Sequence, residues 1–176
     1  LGMSAENVAG QTAVDLIDLT VANNERRDGY QAYLDPYLGF KFLYPQTWYE
    51  PRYQDTLLYT TSQITDTQLQ ITIYPDLAEG VTAETLKQQT LQQFGAVDIL
   101  FEDERNVAGR QALSVAYGYT NADGVPHSGL FLTFIDDKRN GFVVDLDGRA
   151  TDEAATVEAF VTLADTWEFA EAGIGL

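Results

Sequence analysis

The chain has 176 residues, 45% of them hydrophobic and with nine Phe, ten Tyr and two Trp, enough apolar mass for one domain core and too much for intrinsic disorder. Ten basic against twenty-seven acidic residues give a net charge of −17, a field that repels nucleic-acid phosphates and anionic lipid head groups. Cysteine is absent, which excludes disulfides, thiolate metal sites and a cysteine nucleophile, and no stretch nears the roughly 18 apolar residues of a membrane span.

Residues 1–29 read as an N-terminal lead-in. Within it Thr12 can cap and Val14, Ile17 and Val21 recur at helical spacing before Asn23 and Asn24, predicting a short helix. The alternation of Ile17, Leu19 and Val21 leaves a strand open as the alternative. Tyr30–Leu34 and Phe40–Tyr44 then predict a hairpin. Pro36 presets φ for the turn, Gly39 can take a positive φ, Phe40, Phe42 and Tyr44 alternate with Lys41 and Leu43, and Pro45 stops ladder pairing. Trp48 follows as an apolar plug under the sheet edge.

The run Asp35-Pro36-Tyr37-Leu38-Gly39-Phe40, followed by Tyr44-Pro45-Gln46-Thr47-Trp48, resembles the opening of the PsbP-like family, where an Asp-x-x-x-Gly-Phe turn and a strand ending in Tyr-Pro-x-x-Trp begin an α-β-α sandwich. The resemblance implies a PsbP-like domain over residues 30–170 and a scaffold that binds proteins without catalysis. Its members include an extrinsic photosystem II subunit, a Ran-binding import factor and bacterial envelope lipoproteins, so the partner does not transfer with the fold.

Strands are predicted at Leu57–Gln63 and Thr67–Tyr74; in the second, Leu69, Ile71 and Ile73 alternate with polar residues and Pro75 ends the pattern. Thr82 caps a helix to Phe94, with Glu84 in the first turn, Leu86, Thr90, Leu91 and Phe94 as the buried stripe, and Gly95 as the stop. Further strands fall at Asp98–Glu104, Ala108–Thr120, Gly129–Ile135 and Gly141–Asp147, joined by turns too short for a helical crossover and hence antiparallel. Leu130–Ile135 is apolar on both faces, which places it centrally between helix layers. Thr151 caps a second helix to about Asp165, with Val157, Phe160, Val161, Ala164 and Trp167 facing the core; residues 171–176 read as a frayed tail. The fold class expected is α+β, a three-layer α-β-α sandwich around an antiparallel sheet of about six or seven strands.

Chemistry is sparse in this sequence. His127, the sole histidine, is expected in the loop from Gly124 to Gly129 beside Ser128, without a Gly-x-Ser-x-Gly elbow or a spaced triad. The acid clusters are Glu102-Asp103-Glu104, Asp136-Asp137, and Asp145 with Asp147. Asp145 and Asp147 are the metal candidates, since carboxylates suit calcium, although the EF-hand spacing is missing. No glycine run cradles a phosphate, and no cofactor is expected. Tyr49, Arg52 and Tyr53 form the candidate interaction patch, because Tyr and Arg carry much interface energy; packing inside the domain is their alternative role. The expectation is a non-enzymatic protein-interaction or assembly module, exported or lipid-tethered outside the cytoplasm. A small-ligand or calcium-binding domain using acidic loops is the alternative.

Overall fold

The computed structural model describes residues 27–170; the expected helix at Thr12–Asn24 and the tail from residue 171 lie outside them. Among the described residues ten strands and two helices make three layers. The strands are β1 (Tyr30–Leu34), β2 (Phe40–Pro45), β3 (Arg52–Gln54), β4 (Leu57–Thr61), β5 (Gln68–Tyr74), β6 (Asp98–Val107), β7 (Arg110–Thr120), β8 (Pro126–Ile135), β9 (Gly141–Arg149) and β10 (Glu168–Phe169). Helix α1 is Ala83–Phe94 and α2 is Glu153–Thr166. Seven strands form the central sheet in the order β3-β4-β5-β9-β8-β7-β6, every pairing antiparallel. The expected α+β sandwich is the fold.

The two apolar faces of β8 meet different helices, as its sequence requires. Leu132 and Phe134 join Phe160, Leu163 and Ala164 of α2 in the main core. Phe131 points the other way, 5.6 Å from the Phe94 ring of α1, in a smaller cluster with Val115, Tyr117 and Leu91. Thr133 fixes the second contact by donating to the Ala83 carbonyl at 2.8 Å. Helix α1 starts as expected: Thr82 and Thr85 form a reciprocal capping box, and Gly95 closes the helix.

The β1–β2 hairpin forms, but in a separate sheet. Its order is β1-β2-β10, with Lys41 opposite Glu168 and Phe40 opposite Phe169. Held between two strands and against α2, residues Phe40 to Tyr44 are all buried, Lys41 included. The turn depends on Asp35, which is itself buried. Its Oδ2 accepts from the backbone N–H of Tyr37 at 3.0 Å and of Leu38 at 2.6 Å, and its Oδ1 from the Tyr33 and Tyr53 hydroxyls at 3.2 and 2.5 Å. Burial, with Asp35 close by, pushes both phenols well above the usual tyrosine range, so they persist as donors. Asp35→Ala would orphan these groups; a loss of about 2 kcal/mol in urea unfolding is expected, and an unchanged midpoint would refute this role for the turn.

Several boundaries differ from the sequence reading; strand β4, for one, ends at Thr61 and not at Gln63. Strand β8 begins at Pro126, three residues before Gly129, because a proline is tolerated as the first residue of a strand. His127 and Ser128 are therefore strand residues, not loop residues. Ala108 and Gly109 both take positive φ, 51° and 81°, so Ala108 belongs to the β6–β7 turn and β6 runs on to Val107. Strand β9 continues through Gly148 to Arg149, since a Cβ at Gly148 would meet the Thr67 and Thr156 hydroxyls at 2.8 and 2.9 Å. Thr151 does not cap α2: it sits in a 3-10 turn, Ala150–Asp152, that leads into the helix.

Candidate functional site

Two places carry unusual chemistry: a polar network on the α1 side of the central sheet, and its β6 edge. The network follows from register. Alternation along β9 sends Asp145 and Asp147 to the same face. Pairing then sets Gly129 opposite both Asp147 and Tyr117, and His127 opposite Tyr119. Tyr117 donates to Asp145 Oδ1 at 2.6 Å. Tyr119 donates to Asp147 Oδ2, whose Oδ1 accepts from His127 Nδ1 at 2.8 Å. His127 Nε2 faces the Asn121 amide at 3.3 Å.

Burial dominates the electrostatics here. It pushes the Asp145 carboxyl up to about 7; the Tyr117 hydrogen bond opposes this and the Asp147 charge adds to it. The Tyr117 and Tyr119 phenols are also raised, first by burial and then by the same carboxylates. A carboxyl raised above its unfolded value binds its proton more tightly in the folded state. Its contribution is thus greatest in acid and is lost as pH rises from about 4 to about 7. Asp145→Asn, which keeps an acceptor for Tyr117, is expected to stabilise the chain by about 1–2 kcal/mol at pH 8 and to leave it nearly unchanged at pH 4. Equal effects at both pH values in urea titrations would count against the buried charge.

As a reaction centre the network lacks an adjacent nucleophile. Ser128 follows His127 along β8, so its side chain points to the opposite face, towards Gly118 and Gly148. Among the described residues no group of three His, Cys, Asp or Glu side chains is arranged to hold a metal. Asp145 Oδ1 and both oxygens of Asp147 are turned to hydroxyl and imidazole donors. What the arrangement can do is store a proton and tie three strands together.

The candidate patch Tyr49, Arg52 and Tyr53 is divided by the same alternation. Tyr49, 59% exposed, and Arg52 are open to solvent. Tyr53 turns to the other side of β3, where it bonds Asp35 and meets the Tyr37 ring edge-on at 5.4 Å. Trp48, by contrast, is the expected core plug.

The sequence reading missed the β6 edge. Ile99, Leu100 and Phe101 are 49%, 60% and 62% exposed, on a strand with no neighbour on its outer side among the described residues. The pairing shifts between Ile99 and Phe101, so Leu100 is an extra residue bulged from the ladder. Next to them Glu102, Asp103 and Glu104 line a cleft of about 420 Å³ with Glu84 and Lys87 of α1. The available signal was the run Asp98-Ile99-Leu100-Phe101-Glu102, where three adjacent apolar residues break the alternation between acids.

No family model matches the sequence, and no curated protein matches it. Solved structures do match. The solution structure of cyanobacterial PsbP (CyanoP) from Synechocystis superimposes with a TM-score of 0.62 at 17% identity, over 82% of this chain and 94% of that one. LpqN of Mycobacterium tuberculosis, involved in cell envelope biogenesis, gives 0.59 at 10% identity, over 85% and 96%. The Saccharomyces cerevisiae Ran-binding protein Mog1p gives 0.61 at 7% identity, over 84% and 98%. With the Asp35 turn, the seven-stranded sheet and the two flanking helices in place, the chain has the PsbP-like fold.

Proposed function

We propose that the chain is a non-enzymatic protein-interaction or assembly module, exported or lipid-tethered outside the cytoplasm, with residues 30–170 as its working domain. The observation that carries this reading is the exposed apolar run Ile99–Phe101 on an open sheet edge. Soluble monomers seldom leave adjacent large apolar residues in water unless something covers them. Two structural neighbours lend support: Mog1p is named for binding Ran, and LpqN for a part in envelope biogenesis. Among the described residues no helix is long and apolar enough to cross a membrane.

A photo-crosslinking residue at position 101 of the full chain, expressed in its source cells, is expected to yield a discrete adduct; the same residue at Asp55 serves as control. Fractionation should place that adduct with the envelope. Equal diffuse labelling at both positions, or recovery only from the cytoplasm, would reject the reading.

A further inference from the structure

We propose that the β6 edge takes up an extended, basic segment of a partner protein as an eighth strand of the central sheet. This deepens the interaction reading above and rests on it. An edge strand offers a row of unpaired N–H and C=O groups, and proteins that do not use such an edge cover or blunt it. Here β6 is ten residues long and exposed over most of its length; beside its acids and the Leu100 bulge it still leaves Ile99, Leu100 and Phe101 open to solvent.

The two sides of β6 ask for different chemistry. Ile99, Glu102 and Glu104 lie opposite Tyr117, Val115 and Leu113, and so share the α1 face. There the cleft holds Glu84, Glu102 and Glu104, against which Lys87 is the near cation, 2.9 Å from Glu102 and 3.2 Å from Glu84. Asp103 and Glu104 have no ion-pair partner among the described residues. On the other face Phe101 lies opposite Ala116, and Leu100 approaches Gly118. An added strand therefore places its residues opposite Glu102 and Glu104 on the acidic side and those beside Leu100 and Phe101 on the apolar side. The matching segment carries two Lys or Arg separated by one residue, next to an apolar pair.

Charge also decides against the other occupants. A second copy would bring a net charge of −17 and the same three acids to the edge. Residues 1–26 of this chain carry Glu6, Asp15, Asp18 and Glu25 against Arg26 alone. Like charges set opposite each other across a strand pair oppose pairing, whereas a basic strand is drawn in.

The test uses the full chain and a blocked synthetic peptide, Thr-Lys-Thr-Lys-Val-Val-Thr, with a version bearing Glu for Lys as control. At low salt, anisotropy should show the Lys peptide binding at least about tenfold more tightly than the Glu peptide, and weakening severalfold as screening rises. Backbone amide shifts should concentrate in Asp98–Glu104. The double variant Asp103→Lys with Glu104→Lys should lose about tenfold in affinity, and Leu100→Thr severalfold, both with unchanged melting temperature. Equal binding of the two peptides, or undiminished binding by the charge-reversed variant, would overturn the proposal. So would a dimer in sedimentation that Leu100→Thr dissolves, or outward β6 amides already protected from exchange in the free chain. If the position-101 adduct persists while the peptide fails, the interaction reading stands and strand addition falls.

Discussion

Trp167→Ala is expected to cost about 4 kcal/mol, within the range for truncating a buried tryptophan, and to lower the melting temperature by about 8–16 °C. Trp167 ends α2 and is 2% exposed. Its indole stacks on Phe40 at 4.7 Å and Phe42 at 5.4 Å, and meets Phe134 and Phe142 edge-on at 5.2 and 5.5 Å. Those four rings belong to the β1-β2-β10 sheet and to the central sheet, so one side chain joins both sheets to the helix. Its Nε1 is buried without an acceptor among the described residues, so Trp167→Phe sacrifices no hydrogen bond to them. That milder variant should cost less than half as much in a urea titration. If it costs as much as alanine, the hub is held by something other than ring packing.

Gly129→Ala is expected to destabilise the chain by about 3 kcal/mol, at the upper end for overpacking. A Cβ at this position would lie 2.3 Å from Tyr117 Cζ and 2.4 Å from its hydroxyl. The ring has little room to yield. Its hydroxyl is bonded to Asp145 at 2.6 Å, and Phe94 and Phe131 pack on it at 4.9 and 6.1 Å. The glycine is needed for this close approach, since its φ is not among the positive ones. A double-mutant cycle isolates the clash. In a Tyr117→Leu background the added methyl should cost less than about 1 kcal/mol, giving a coupling well above the additivity limit. An unchanged cost would place the strain in the β8 backbone. Loss of the Tyr117 bond should also alter the pH dependence that Asp145 imposes, which joins this prediction to the Asp145→Asn titration.

Much of the fold was legible along the chain because its determinants are local. The Asp35 turn, the Thr82 cap, the Gly95 stop and the alternation of Leu69, Ile71 and Ile73 each act within a few residues. The two-sided apolar pattern of Leu130–Ile135 called for a helix layer on each face, and α1 and α2 supply them. Two of the misjudged boundaries share a cause. Gly129 and Gly148 look like turn residues, yet both sit inside strands because another side chain occupies the space a Cβ would need. A proline and a glycine flanking His127 thus suggested a loop where long-range pairing imposes a strand.

The sequence by itself determined the α+β class, the acidic surface, the aromatic core and the resemblance carried by Tyr33 to Trp48, since composition and short-range periodicity encode them. Only the tertiary structure decided that His127 meets Asp147, that Tyr53 turns away from Arg52, and that Ile99 to Phe101 stand on an open edge. Each of these depends on strand order and on register between residues distant in the chain. A shift of one residue reverses the face of every side chain on a strand, so no local pattern could have fixed which groups meet.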